Sequence, residues 1–256
     1  QEGFEIIGLD IVGFDRSSIW KNISLPLKLL RSRMEARNII SSFKPAAVMG
    51  VGGYASFPVL HAAQGMNIPT LIQEQNSYAG KSNKILGKRA KAVCVAYPNM
   101  DQFFPKDKTI LTGNPVRKSI SDMQRTNDEG KAWFGLDQHK KTILIVGGSQ
   151  GAKSINEGID ALLDTIMKED VQRTWQTGKH YYEHAKKRGA FYNGKIKVFD
   201  FIKEMDYAYA AADIVISRAG ALAIAELCIA GKPVIFVPFP SAAEDHQTSN
   251  AMALVT

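Results

Sequence analysis

Three stretches in the second half of the sequence carry residues of the kinds, and at the spacing, that hold a phosphorylated ligand. Lys141-Thr-Ile-Leu-Ile-Val146 reads as a strand and runs into Gly147-Gly-Ser-Gln-Gly-Ala152. Glycines let a backbone approach an anion, and the N–H groups at the start of the next helix point at it. The run is neither a Walker loop nor Gly-x-Gly-x-x-Gly, so a plain tight turn between strand and helix stays open. In Asp213-Ile-Val-Ile-Ser-Arg-Ala-Gly-Ala-Leu-Ala-Ile-Ala-Glu226 a strand ends at Ser217, Arg218 stands at its carboxyl end and Gly220 opens a helix. Ligands of open α/β sheets sit at that edge. Arg218 and the helix start could neutralise a diphosphate. Glu226 is the one ionisable residue in an otherwise apolar helix and could accept two hydrogen bonds from a ribose diol. The plainer alternative makes it a solvated dipole partner. Downstream, His246 and Gln247 follow the last strand in a polar loop that either contacts a ligand or is merely a loop.

The first half repeats the pattern more weakly. Met49-Gly-Val-Gly-Gly-Tyr-Ala-Ser56 follows one strand, Gln73-Glu-Gln-Asn76 with Gly80 and Asn83 follows a second, and Gly113-Asn-Pro-Val-Arg117 a third. Polar clusters at three strand ends are expected to converge on one sheet edge. Further upstream, Ile19, Trp20, Leu27, Lys28, Leu30 and Arg31 mix large apolar with basic residues. Such a segment either lies on an anionic membrane or is a core-facing helix with a basic outer side.

The elements that must position these residues alternate. Strand-like runs at Ala46–Met49, Thr70–Ile72, Ala92–Val95, Thr142–Val146, Ile196–Phe199, Ile214–Ser217 and Val234–Val237 are separated by helical stretches such as Ser24–Phe43, Lys153–Lys168 and Gly220–Ala230. This order predicts parallel sheets built from βαβ units. The polar stretch 121–140 divides two such sets, giving an expected N-terminal domain over 1–122, a linker over 123–140 and a C-terminal domain over 141–256, with a cleft between the domains. The chain has 256 residues, 45% of them hydrophobic and 22% charged, which excludes disordered, collagenous and disulfide-scaffold classes. A formal charge of +7 favours anionic partners without choosing among them. No aromatic–basic recognition motif accompanies it, so no nucleic acid is expected. Cys94 and Cys228 lie in apolar runs and read as buried free thiols; neither has metal-ligand spacing, and no metal is expected. No apolar run is long enough to span a membrane. The first and last residues fall in mid-pattern, as in a piece lacking both termini.

With these motifs assembled, the chain resembles the peptidoglycan glycosyltransferases that add N-acetylglucosamine to lipid I, making lipid II. The likeness runs over nearly the whole chain, through Gly50–Ser56, Glu74–Asn76 with Gly80, Gly113–Arg117, Gly147–Ala152, Phe201 with Ile202, Arg218–Glu226 and Asp245–Asn250. It implies the GT-B fold, two Rossmann-like parallel-sheet domains facing a cleft, both incomplete here. It also implies UDP-N-acetylglucosamine as donor, lipid I (undecaprenyl-diphosphate muramoyl-pentapeptide) as acceptor and no cofactor. By motif, Ser149 contacts the donor, the backbone at Ile202 reads the uracil, and Ala221, Leu222, Ala223, Ile224, Ala225 and Glu226 form the substrate-binding run. Within that run Glu226 takes the ribose hydroxyls. Gln247 holds the sugar hydroxyls, while Asn76 and Arg117 reach across the cleft. The segment around Ile19 and Arg31 resembles the family's membrane-docking patch. This implies a peripheral protein on the cytoplasmic face of the bacterial membrane, serving cell-wall synthesis, cell shape and division.

The sequence departs from the family pattern at several places. The early Thr-Gly-Gly-His loop is absent, and the family continues past residue 256. Gln73 stands where His is usual, His246 where Gln is common and Ala223 where Thr is common. The implied chemistry is inverting displacement of UDP by the acceptor C4 hydroxyl. No residue type identifies the base, and Glu74 is only a guess. A UDP-N-acetylglucosamine 2-epimerase of the same architecture and a non-catalytic nucleotide-sugar-binding module are the alternatives.

Overall fold

The computed structural model describes residues 3, 5–9, 11, 25–242 and 245–255. Ile19 and Trp20 lie outside them. The chain divides into two compact units, 1–113 and 114–256.

In the first unit, α1 (Leu25–Phe43), β1 (Val48–Gly50), α2 (Gly53–Gly65), β2 (Thr70–Glu74), α3 (Lys81–Gly87), β3 (Ala92–Val95) and β4 (Thr109–Leu111) follow in sequence. The four strands pair in parallel in the order β1-β2-β3-β4. Ile72, Val93 and Val95 bury their side chains against Leu60, Leu86 and Phe104. On the other side Ala36 and Ile40 of α1 meet Ala62 and Ala63 of α2, small residues that let the two helices approach closely. Two polar contacts draw strand ends together at the carboxyl edge: Gln73 Nε2 donates to Gly113 O at 3.1 Å, and Gln75 Nε2 to Val51 O at 3.4 Å.

The second unit comprises α4 (Lys118–Ser121), α5 (Asn127–Trp133), β5 (Lys141–Val146), α6 (Lys153–Ile166), β6 (Val171–Gln176), α7 (Lys179–Gly189), β7 (Ile196–Phe199), α8 (Met205–Ala211), β8 (Ile214–Ser217), α9 (Ala221–Ala230), β9 (Val234–Phe236) and α10 (His246–Met252). Its five parallel strands run in the order β7-β6-β5-β8-β9, so the winding direction reverses between β5 and β8. The alternation of side chains along β5 explains why helices cover both faces. Leu144 and Val146 pack towards Tyr209, Val215 and Leu227, while Ile145 packs towards Ile155, Leu163 and Trp175.

Two expectations change. The stretch expected to link the domains is built into the second unit, whose boundary falls at 113/114. Thr126 and Glu129 form a reciprocal cap on α5, and Asn127 Nδ2 donates to the carbonyls of Ala210 and Ala211 on α8. Gly130 lies so close to the α8 backbone that any Cβ would collide with Ala211 and Tyr207. The cysteines are both free, but Cys94 is half-buried, and Cys228 is exposed because the largely apolar α9 buries only one side. Among the described residues no helix is long and apolar enough to cross a membrane.

Candidate active site

A cavity of about 1000 Å³ opens in the second unit where the strand order reverses, at the carboxyl ends of β5 and β8. That is the place an open α/β sheet offers a ligand. One wall is the glycine loop, with Gly147, Gly148, Ser149 and Gly151, and another is the start of α9, with Gly220, Leu222 and Ala223. Phe201 and Ile202 close one end and Phe239 with Gln247 another. Two helices begin here, α6 and α9. Neither has a side-chain hydrogen bond at its N-cap or an acidic residue in its first turn. Their opening N–H groups are therefore available to an anion.

Glu226 is 8% exposed and accepts three hydrogen bonds. Arg117 grips it bidentately, Nε to Oε1 at 2.8 Å and Nη2 to Oε2 at 3.0 Å, and the Tyr209 hydroxyl donates to Oε2 at 3.1 Å. Burial first, and the neighbouring carboxylate second, push the Tyr209 phenol far up, so it stays protonated and remains a donor. The Arg117 guanidinium is raised mainly by its hydrogen bonds to Glu226. Arg218 braces the opposite side. Its Nη1 donates to Val237 O at 3.0 Å and Pro238 O at 2.9 Å, and its Nη2 to Ser154 Oγ at 2.7 Å. Three of its five N–H groups thus fix the loop after β9 and the start of α6, and two remain for a ligand. Gln247 Oε1 accepts from Phe239 N at 2.9 Å, which orients the side chain and leaves its NH2 group for hydroxyls. Replacing Arg218 by Lys keeps the charge but loses the planar fork. Affinity for a diphosphate ligand, read by calorimetry, is expected to fall by about tenfold, with smaller loss of thermal stability.

Residues 142–256 match the model for the glycosyltransferase family 28 C-terminal domain, and residues 1–95 the model for the family's N-terminal domain. The chain belongs to glycosyltransferase family 28. It is 52% identical over 254 residues to the UDP-N-acetylglucosamine–N-acetylmuramyl-(pentapeptide) pyrophosphoryl-undecaprenol N-acetylglucosamine transferase of Parabacteroides distasonis. That match covers 99% of this chain and 69% of the relative. Among solved structures, MurG of Acinetobacter baumannii is 36% identical with a TM-score of 0.68, over 90% of this chain and 63% of that one. The UDP-GlcNAc 2-epimerase of Neisseria meningitidis, solved with UDP-GlcNAc, shares the fold at a TM-score of 0.61 and only 17% identity, over 90% of this chain and 68% of that one. The family 28 chain accordingly has the two parallel-sheet α/β domains expected of the GT-B class.

Against this family 28 background, the cavity gathers Arg117, Ser149, Ile202, Arg218, Leu222, Ala223, Glu226 and Gln247 of the expected residues. Ala221, Ile224 and Ala225 do not line it. Helical spacing turns Ala223 and Glu226 to the cavity but sends Ile224 into the core, where it is buried. Arg117 belongs to the second unit, beside Glu226, rather than reaching over from the first. Asn76 belongs to the first unit, where its backbone N and Nδ2 donate to Glu74 Oε1 at 3.1 and 3.2 Å. The guess that Glu74 is the base meets a different geometry. Its other oxygen accepts from Gly80 N at 3.0 Å and Asn83 Nδ2 at 2.8 Å, and the side chain is buried. A carboxylate holding four donors organises its own loop and has no open lone pair for a hydroxyl proton.

The glycines also divide their labour. Gly151, at φ +77°, lies against the turn after β6, and a Cβ there would strike the carbonyl of Thr177. Gly178, also at φ +77°, would strike the carbonyl of Gln150. Both need to be glycine because two turns pack backbone on backbone, which is the tight-turn reading; Gly148, with open space around it, fits the phosphate reading. Sequence reasoning missed Tyr209, Gln176 and Ser154. Tyr209 and Gln176 act through partners 17 and 26 residues away, and no local pattern marks such pairs.

Proposed function

We infer that this protein transfers N-acetylglucosamine from UDP-N-acetylglucosamine to the C4 hydroxyl of the muramoyl sugar of lipid I, giving lipid II and UDP. The observation that carries this reading is the cavity at the β5–β8 reversal, in a chain half identical to a relative named for that transfer. The hydroxyl attacks the anomeric carbon as the bond to UDP breaks, inverting that carbon. Negative charge then grows on the diphosphate. The first turns of α6 and α9 and the remaining N–H groups of Arg218 face that charge, held in place before it develops. Ser149 lies at the glycine loop beside the diphosphate, Ile202 meets the base, Glu226 takes the ribose diol, and Gln247 takes the sugar hydroxyls.

The first unit is the acceptor and membrane side in this reading. Leu27 and Leu30 are 73% and 53% exposed, and Lys28, Arg31 and Met34 are exposed beside them. Positions 27, 30, 31 and 34 share one face of α1. Apolar side chains there enter the headgroup region while the cations meet anionic lipid, giving a peripheral protein on the cytoplasmic face of the membrane. Replacing Leu27 and Leu30 together by Ser is expected to lower co-sedimentation with phosphatidylglycerol vesicles by about tenfold, with donor binding unchanged.

The test of the main reading is calorimetric titration with UDP-N-acetylglucosamine, UDP-glucose and ATP, followed by product analysis with lipid I. Selective donor binding and formation of lipid II are expected. Conversion of the donor alone to its 2-epimer, or no selectivity in a folded sample, overturns it.

A further inference from the structure

We propose that Gln176 is the positioning residue that sets base selectivity in the donor cavity, by clamping the base loop and the glycine loop to each other. The proposal rests on the reading of the cavity as a uridine-diphosphate site. Gln176 ends β6 and is 2% exposed. Its Oε1 accepts from Ile202 N at 2.8 Å, and its Nε2 donates to Gly148 O at 2.9 Å. Chemistry alone fixes this orientation of the amide, since a backbone N–H only donates and a carbonyl only accepts. One buried side chain thus bonds directly to both loops.

The clamp has a chemical consequence at the base. The Ile202 amide is already committed to Gln176, while its carbonyl accepts no hydrogen bond from any described residue. The backbone group left to read a base is therefore an acceptor. Uracil presents an N3–H donor to it; cytosine presents an N3 lone pair, which a fixed carbonyl repels. Discrimination of this kind depends on the carbonyl being held still, because a loop free to shift accommodates either edge. The same amide holds Gly148, so loosening it also loosens the phosphate side. The neutral amide supplies an acceptor and a donor at once without placing a charge in the interior.

The test compares affinities of the protein for UDP and CDP by calorimetry. Gln176→Met keeps the volume and removes both hydrogen bonds. Gln172→Met is the control: it is equally buried on the same strand but bound at the far end, to Asp137 and Thr142. Both variants are expected to lower the melting temperature. Only Gln176→Met is expected to reduce the UDP-over-CDP ratio, by about tenfold. A wild-type ratio in a folded Gln176→Met protein overturns the proposal, as does an equal fall in Gln172→Met. If Gln176→Met does not fold, Gln176→Glu carries the test, since a protonated carboxyl donates and accepts like the amide while the ionised form only accepts. UDP affinity relative to wild type is then expected to be near normal at pH 5 and reduced at pH 8. No difference between the two pH values counts against the clamp. Absence of any UDP preference in the wild-type protein sinks the donor reading itself, a separate outcome.

Discussion

Replacing Glu226 by Gln is expected to weaken UDP-N-acetylglucosamine binding by roughly ten- to a hundredfold, the scale of losing charge-assisted hydrogen bonds. The carboxylate is nearly buried and shared among Arg117 and Tyr209. A ribose diol bound at Glu226, as proposed, would have to join or displace part of that arrangement, against a residue already held by its partners. The glutamine variant keeps the shape but offers one oxygen where two are used, and places an NH2 against Arg117 or the Tyr209 hydroxyl. Calorimetry on Glu226→Gln and Arg117→Ala, alone and combined, separates the direct contribution of Glu226 from that of its partner. If affinity is unchanged in Glu226→Gln, the carboxylate does not touch the ribose and its task is confined to holding Arg117.

The second large effect falls on stability. Glu74→Gln is expected to destabilise the first unit by about 3 kcal/mol, because an amide nitrogen cannot accept from N–H groups that the carboxylate oxygen held. Four donors converge on this one buried side chain, from Asn76 twice, Gly80 and Asn83. Hydrogen exchange read by mass spectrometry checks the account directly. Amides of the 74–83 segment are expected to lose protection in the variant. A Glu74→Gln protein with unaltered exchange and melting, yet no turnover, is the behaviour of a catalytic base and overturns the anchoring role.

The elements legible in the sequence were those whose apolar residues follow a simple period. β5, β8 and α9 are read from Thr142–Val146, Ile214–Ser217 and Gly220–Ala230 almost to the residue, and they place Arg218 and Glu226 at the right sheet edge. β6 escaped because Val171-Gln-Arg-Thr-Trp-Gln176 looks like a solvated segment. It is in fact an interior strand, and Gln172, Arg173 and Gln176 find partners inside the protein, while the buried Thr174 hydroxyl has none among the described residues. Gln172 bonds to Asp137 and Thr142, and Arg173 donates to the carbonyls of Ile166 at the end of α6 and Val171 at the start of β6. Burial of polar groups is tolerable when each finds a partner, but the partners are remote in sequence. The same blindness made a linker of 123–140, where one polar face conceals a helix seated on α8. The cysteine expectation failed for the converse reason: an apolar helix was taken to be buried all round.

The mutual fit of Gly151 and Gly178 limits how the cavity can move. Each glycine faces a carbonyl of the other turn, so neither turn can slide past its neighbour without a backbone collision. Gln176 adds the 201–202 segment to the same block. A hinge within the glycine loop would have to break all of these contacts together. The loop therefore does not fold down over a phosphate as a separate flap. Within the second unit the 147–151, 176–178 and 201–202 segments are tied into one plate, so a displacement of any one of them carries the other two with it.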